Sequence, residues 1–322
     1  MRKLLFISVA ATTAACGPRD GTDGTTSGAT TASTGTTAAT ATSTAPFAAA
    51  GSASGFAVPE AARYDADLDV FFVSNIDGNP SQKDGKGRIV VVTAGDTTAA
   101  PTVLAEGGKN GVTLNAPKGL AIVGDTLWVA DIDVVRAFDK RTGAPIRTVS
   151  TRPTAAFLND VAVGGDGAVY VTDTGIRFAP DGTMTSGLPN RVYRVQGNGS
   201  QVVLENKALG GPNGIAWDAS KNRFLIVSFA DKAINAWTPG DTTIVKIAEG
   251  PGGYDGIEVL ADGRALVSSW TDSSVHAVHA DGSVHPVVRG VAAPADIGVD
   301  TKRNILAVPR FNDGKVEFFK IR

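Results

Sequence analysis

The chain has 322 residues, of which 43% are hydrophobic and 19% charged, and its formal net charge at pH 7 is -2. This balance argues against nucleic acid as a partner, because binding a phosphate backbone needs many cations gathered on one face. The 38 glycines and 16 prolines suit an all-β protein with many tight turns, and no apolar run after the N-terminus is long enough to span a bilayer.

Residues 1–16 have the layout of an export signal. A basic head at Met1–Lys3 is followed by an apolar core at Leu4–Ala11 and by small residues immediately before Cys16. This arrangement resembles a bacterial lipoprotein signal, which implies that Cys16 is lipidated. Thr13 stands where such signals usually carry Leu, so ordinary secretion remains the alternative. We predict an extracytoplasmic protein that is either anchored in the bacterial envelope through lipid alone or secreted.

Residues 17–55 consist almost entirely of Thr, Ala, Ser and Gly. Such a segment has too little apolar side chain to offset the entropy lost on ordering it, so we predict a flexible linker. Cys16 is the only cysteine of the chain, so no disulfide can stabilise the domain that follows.

From residue 56 to residue 322, one short motif recurs six times, and short strands separated by turn residues follow each copy. The copies begin at Pro59, Pro117, Leu158, Pro212, Tyr254 and Pro294. Most copies are followed by enough short apolar runs for four strands. A repeat of this length with four strands per unit predicts an all-β, six-bladed β-propeller with four-stranded antiparallel blades around a central channel. The last unit has only three strands, and we predict that Phe56–Val58 supplies the fourth and closes the ring.

The second residue of the motif varies in chemistry from copy to copy. Because the innermost strand of each blade lines the central channel, these residues are expected to meet at one mouth of it. They are Glu60, Lys118, Asn159, Asn213, Asp255 and Ala295. Two carboxylates and two amide oxygens form the hard donor set that Ca²⁺, Mg²⁺ or Mn²⁺ prefers. Taken singly, the Asn-Gly and Asp-Gly pairs are also common turn dipeptides, and Glu60 is an ordinary loop acid.

Four of the copies resemble, in the correct order, motifs of the gluconolactonase and senescence-marker-protein (regucalcin) family of six-bladed propellers. The matching segments are Pro59-Glu60, Phe157-Leu158-Asn159-Asp160, Pro212-Asn213-Gly214-Ile215 and Tyr254-Asp255-Gly256-Ile257. The resemblance implies that Glu60, Asn213 and Asp255 bind one divalent cation and that Asp255 is also catalytic. It implies that Asn159 lies beside both metal and substrate. We expect Ca²⁺ first, with Mg²⁺, Mn²⁺ and Zn²⁺ as alternatives.

Two more residues are predicted to contact substrate. Sugar-lactone enzymes of that family carry an Arg that contacts substrate two residues before the Asn that matches Asn159. This chain has Phe157 there, which argues against an acidic sugar lactone and suggests a more apolar or a different ligand. Lys118 is predicted to hold a substrate carboxylate or the developing oxyanion, with a solvated lysine at the rim as the alternative. We call the six second motif residues the ring. Polar residues that end the second strands are predicted to support it, although a polar residue after a strand is also an ordinary turn residue. These supporting residues are Asn75, Asp131 and Asp173.

Two functions fit these features. The first is a metal-dependent lactonase or esterase that acts on a small molecule, as a monomer, at the mouth of the channel. The second is a non-catalytic propeller that binds a ligand or a partner protein and holds a structural metal.

Overall fold

The computed structural model describes residues 45–96, 100–179, 181 and 183–322. The predicted export signal, Cys16 and most of the predicted linker lie outside the described residues. No helix within these ranges is both long enough and apolar enough to cross a membrane.

The described residues form six four-stranded antiparallel sheets, and the prediction of a six-bladed propeller is confirmed. The first strand among the described residues, β1, is Ala48–Ser54. The first blade contains β2 (Pro59–Asp65), β3 (Val70–Asn75), β4 (Arg88–Thr93) and β5 (Thr102–Glu106). The second contains β6 (Pro117–Val123), β7 (Thr126–Asp131), β8 (Val134–Asp139) and β9 (Pro145–Ser150).

The third blade carries an inserted hairpin. Its sheet contains β10 (Leu158–Val163), β11 (Val169–Asp173), β14 (Arg191–Gln196) and β15 (Gly199–Glu205). The inserted hairpin pairs β12 (Arg177–Phe178) with β13 (Met184–Thr185). One turn of 3₁₀ helix, Lys207–Leu209, precedes the fourth blade.

The last three blades complete the ring. The fourth contains β16 (Pro212–Asp218), β17 (Arg223–Ser228), β18 (Ala233–Trp237) and β19 (Val245–Glu249). The fifth contains β20 (Tyr254–Val259), β21 (Ala265–Ser269), β22 (Ser274–Val278) and β23 (Val284–Arg289). The sixth contains β24 (Gly298–Asp300), β25 (Ile305–Arg310), β26 (Lys315–Lys320) and β1.

The core lies between neighbouring blades, where apolar side chains that alternate along the strands interlock. Leu120, Leu127 and Val129 of the second blade, for example, pack against Phe72 and Ile89 of the first. Full burial of one such side chain contributes about 1.5–3 kcal/mol, and every blade is covered in this way on both faces. The inner strands are therefore held firmly around the axis, which fixes the positions of the motif residues.

The closing strand differs from the predicted one. β1 pairs antiparallel with β26, with Ala53 opposite Val316, so the prediction that Phe56–Val58 closes the ring is wrong. Phe56 instead packs into the core beneath the closure, and Val58 adopts a left-handed φ of 55° where the chain turns into β2. Ordered structure thus begins within the segment assigned to the linker. Its composition hides the strand because β1 is an edge strand whose side chains are mostly exposed.

Candidate active site

A β-bulge lies at the motif in five of the six blades. In the fourth blade, Pro212 pairs with Ser228 and Ile215 with Ile226, which leaves Asn213 and Gly214 out of register. The other bulges lie at the same place in the first, second, third and fifth blades. A bulge bends the strand and re-aims a side chain. In these five blades the second motif residue is thereby released from the pleat at the mouth of the channel where the inner strands begin, which we call the ring mouth.

The glycines of the motif are explained by close strand approach, not by turns. A Cβ on Gly214 would lie 2.6 Å from the carbonyl oxygen of Asp255, and one on Gly256 would lie 2.5 Å from Oδ1 of Asp296. Both glycines are inside strands, β16 and β20. The alternative reading of Asn-Gly and Asp-Gly as turn dipeptides is therefore wrong.

The two acids of the ring are buried and influence each other's ionisation. Glu60 and Asp255 are each 5% exposed. Burial raises the pKa of Glu60 well above its usual value, the carboxylate of Asp255 raises it further, and the Lys118 ammonium opposes both effects. Burial likewise raises the pKa of Asp255 to about 7. Two carboxylates in one poorly hydrated site repel each other, and the Lys118 ammonium offsets only part of that repulsion.

Hydrogen bonds orient the polar members of the ring. Trp270 Nε1 donates to Oδ2 of Asp255 at 2.8 Å. Asn213 Nδ2 donates to the carbonyl of Tyr254 at 3.4 Å, and Asn159 Nδ2 donates to Thr174 Oγ1 at 3.2 Å. With each amide nitrogen engaged in this way, the amide oxygen is the pole that remains available to a ligand.

The ring residues fit a hard divalent cation by the chemistry of their donors. Glu60 Oε2 is buried without a hydrogen-bond partner. Across the part of the chain that the structure describes, no three His, Cys, Asp or Glu side chains cluster as metal ligands. The ring contributes only two carboxylates, and its other oxygens are the amides of Asn159 and Asn213. This all-oxygen set suits Ca²⁺ or Mg²⁺ better than Zn²⁺, which favours imidazole and thiolate.

Lys118 is a buried lysine, not a solvated one at the rim. Its side chain is 1% exposed, and Nζ donates to the carbonyls of Pro80 and Ala116, each at 3.1 Å. The same nitrogen lies 4.2 Å from the centre of the Phe157 ring. Burial lowers the pKa of Lys118 to about 8, although Glu60 and Asp131 oppose that shift. Phe157 in turn makes an edge contact with Phe178 of the inserted hairpin, with ring centres 5.7 Å apart.

The three residues predicted to support the ring contact the backbone that leads into it. Asn75 Oδ1 accepts the N–H of Ala57 at 3.0 Å. The Asp131 carboxylate accepts the N–H of Ala116 at 2.9 Å, and that of Asp173 accepts the N–H of Phe157 at 2.9 Å. Each side chain holds the residues just before a ring member, so its effect on the site passes through the main chain.

Sequence reasoning missed five residues around the axis. The position after each ring member is Ala or Gly in four blades but Asp160 and Asp296 in the other two. The position three residues after it is likewise small, except for Arg63 and Glu258. The sequence therefore did contain a signal, which is a charged residue one or three positions after a ring member where the other copies have a small residue. No sequence pattern indicates that Trp270 contacts Asp255, because that hydrogen bond forms only when the strands pair in the folded protein.

A cavity lies at the end of the axis opposite the ring mouth. It has a volume of about 580 Å³, and its lining includes Arg63, Glu258 and Arg264. The charges there pair among themselves, Arg63 with Glu258 and Arg264 with Asp262. Within the described residues, Glu60 and Asp255 form no salt bridge and lie at the other mouth, so the ring is the better candidate for chemistry.

Comparisons with known proteins agree with this architecture. A family model described as the SMP-30/Gluconolactonase/LRE-like region matches residues 58–297. A gluconolactonase structure from Xanthomonas campestris superimposes with a TM-score of 0.65 at 18% identity, covering 84% of this chain and 88% of that one. A structural-genomics protein of unknown function from Bacteroides thetaiotaomicron gives 0.60 at 12% identity, covering 83% and 70% respectively. At these identities the two structures support the fold alone. No curated protein matches the sequence.

Proposed function

This chain belongs to the SMP-30/gluconolactonase/LRE-like family, and we propose that it is a metal-dependent hydrolase of lactones or esters that acts at the ring. The observation that carries the proposal is the buried pair of Glu60 and Asp255. Neither carboxylate has a cationic partner of its own, and both have raised pKa values. Two repelling acids buried at the mouth of a channel destabilise the fold unless a cation binds between them, so their presence supports a cation site, and the family match supports hydrolysis there.

Glu60, Asn159, Asn213 and Asp255 would hold the cation. When bound, a divalent cation supplies positive charge that polarises a carbonyl oxygen and stabilises an oxyanion. It also offsets the repulsion between the two carboxylates, so the same ion supports both binding and folding.

Hydrolysis requires one proton transfer that this chain can manage by itself. The oxygen of water bonds to the acyl carbon, the bond from that carbon to the alkoxide oxygen breaks, and the alkoxide takes up a proton. In our proposal Asp255 receives the proton from water and returns it to the leaving oxygen. The indole of Trp270 donates to Oδ2 of that carboxylate and so holds its orientation. Lys118 adds a positive charge near the developing oxyanion.

The test measures hydrolysis of a panel of lactones and esters through the protons that the reaction releases. It is run after chelation and again after addition of Ca²⁺, Mg²⁺, Mn²⁺ or Zn²⁺. We expect activity with at least one ion, and a loss of about 10²–10⁴-fold in Asp255→Ala. Asp125→Asn is the control, because Asp125 lies in the turn between β6 and β7, at the far end of β6 from Lys118, and its side chain is 74% exposed. Equal activity in Asp255→Ala would mean that Asp255 does not carry the proton, whereas no activity with any ion would favour the non-catalytic propeller.

The cellular setting is proposed from the sequence alone. We propose a monomer outside the cytoplasm, attached to the envelope by lipid on Cys16, with a small molecule as its substrate.

A further inference from the structure

Apolar residues at equivalent positions of the blades surround the ring mouth. The residue immediately after the second strand of each blade lies at that mouth, because the second strand runs antiparallel to the strand that begins there. In five of the six blades this residue is apolar, and we call these five residues the collar: Ile76, Ile132, Phe229, Trp270 and Phe311. The third blade has Thr174 instead, and there Phe157 and Phe178 supply the apolar surface.

Three collar residues form a continuous aromatic wall. The ring centres of Phe229 and Trp270 are 5.4 Å apart, and those of Trp270 and Phe311 are also 5.4 Å apart. Phe229 is 45% exposed, the sole aromatic among the large hydrophobic side chains that are exposed within the described residues. Aromatic surface left open beside a buried polar centre is typical of a site that takes an apolar ligand.

The wall is joined directly to the reacting group. Trp270 contacts Phe229 and Phe311 through its ring while its N–H binds Asp255. On another side of the mouth, Phe157 lies against the ammonium of Lys118. A ligand whose carbonyl lies at the ring therefore meets the aromatic faces of the wall, while Phe157, which is 6% exposed, backs the ammonium on the other side. Such faces offer few of the hydrogen-bond partners that the many hydroxyls of a sugar lactone need.

We propose that the substrate is an uncharged lactone or ester that carries an alkyl chain or an aryl group, which lies against Phe229, Trp270 and Phe311. This inference rests on the proposed hydrolysis at the ring and names the class of substrate for it.

The test is a series of γ-lactones whose alkyl side chain grows from methyl to octyl, with glucono-δ-lactone as the polar comparison. Each methylene that becomes buried contributes about 0.8 kcal/mol, so kcat/KM is expected to rise about fourfold per added carbon until the wall is covered. Phe229→Ala and Phe311→Ala are expected to lower kcat/KM for the octyl lactone about tenfold or more, and for the methyl lactone less than about twofold.

Val245→Ala is the matched control, because it shortens another exposed apolar side chain, 63% exposed and on the outer strand of the fourth blade. It is expected to change neither value. Thermal unfolding of each variant verifies that it is folded.

Binding of the corresponding alkyl γ-lactams, measured by calorimetry, separates this inference from the proposed function because a lactam resists hydrolysis. Lactam binding that weakens in Phe229→Ala and Phe311→Ala, with no turnover of any lactone, would support the apolar site and overturn the hydrolase. Efficient turnover of glucono-δ-lactone with no gain along the alkyl series would overturn the apolar site and leave the hydrolase. Absence of both binding and turnover would overturn both.

Discussion

Arg63 of the first blade forms an ion pair with Glu258 of the fifth blade across the axis of the propeller. The same guanidinium donates through Nε to the carbonyl of Leu120 on the second blade at 2.8 Å, and its Nη2 lies 3.8 Å from Oδ2 of Asp296 at the sixth. Burial alone would lower the pKa of Arg63, but the carboxylates of Glu258 and Asp296 raise it above its usual value. One side chain thus attracts acids of two other blades and ties those blades to the first.

Replacing Arg63 is expected to destabilise the whole propeller. Arg63→Met would leave Glu258, Asp160 and Asp296 buried around the axis without their cation. Breaking a buried pair from one side typically costs about 3–5 kcal/mol, which corresponds to a fall of roughly 10 °C in the unfolding temperature. Urea and thermal unfolding measure both quantities.

The double variant Arg63→Met with Glu258→Leu serves as the comparison. Removing both charges should restore part of the lost stability, since the uncompensated acid is gone. A single variant as stable as the wild type would mean that the acids become protonated or hydrated when Arg63 is absent.

Metal binding should appear as a gain in stability. After chelation, a preferred divalent ion at about a hundredfold excess over its Kd is expected to raise the free energy of unfolding by about 2.7 kcal/mol. Glu60→Gln and Asp255→Asn should each reduce that gain, because each removes one of the two carboxylate ligands. Asp125→Asn should respond as the wild type does. A gain of equal size in all four proteins would place the ion elsewhere.

The metal-free protein should lose stability as the pH rises toward neutrality. Asp255 has an ordinary pKa of 3.8 and a folded pKa of about 7. Between these values the unfolded chain has released a proton that the folded chain still holds, so the free energy of unfolding falls with rising pH. The raised pKa values of Glu60 and Asp296 act in the same direction.

The contribution of Asp255 is the difference between wild type and Asp255→Asn. We expect the advantage of the variant over the metal-free wild type to grow between pH 5 and pH 8, by a few degrees in unfolding temperature. Taking the difference removes the opposite contribution of the buried histidines, whose pKa values are lowered. A constant difference across that range would mean that Asp255 ionises normally.

Trp270→Phe separates the two contacts that Trp270 makes. The substitution keeps an aromatic ring between Phe229 and Phe311 but removes the hydrogen bond to Asp255. Since that bond lowers the pKa of Asp255, its loss should raise this pKa in the metal-free protein. It should also reduce kcat/KM about tenfold for short-chain and long-chain lactones alike, because a hydrogen bond to a charged group contributes about 1.5–3 kcal/mol. A loss confined to long chains would assign Trp270 to substrate contact alone.

The repeat made most of the fold predictable, and the same repeat explains what was missed. Alternating apolar residues and regular turns determine each blade, so the register brings Glu60 and Asp255 together although 195 residues separate them. Charged residues one and three positions after a ring member, such as Asp296 and Arg63, occupy equivalent positions of the repeat and could have been found in the same way. Contacts made once, such as Trp270 with Asp255, depend on the pairing of whole strands and leave no local pattern. β1 was hidden for another reason, since an edge strand held by backbone hydrogen bonds needs few apolar side chains.

The closing strand should be indispensable, and the residues before it dispensable. A chain that begins at Ala45 keeps β1 and also Phe47, whose side chain is 7% exposed and whose N–H donates to the carbonyl of Val287 at 2.8 Å. We expect it to unfold at the same temperature as a chain that begins at residue 17. A chain that begins at Gly55 lacks β1, so it exposes the edge of β26 and should unfold far earlier or aggregate. In the chain that begins at Ala45, Phe47→Ala should lower the free energy of unfolding by about 3 kcal/mol, because it empties a buried site while leaving β1 in place. Equal thermal stability of the chains beginning at Ala45 and Gly55 would show that the sixth blade holds with three strands.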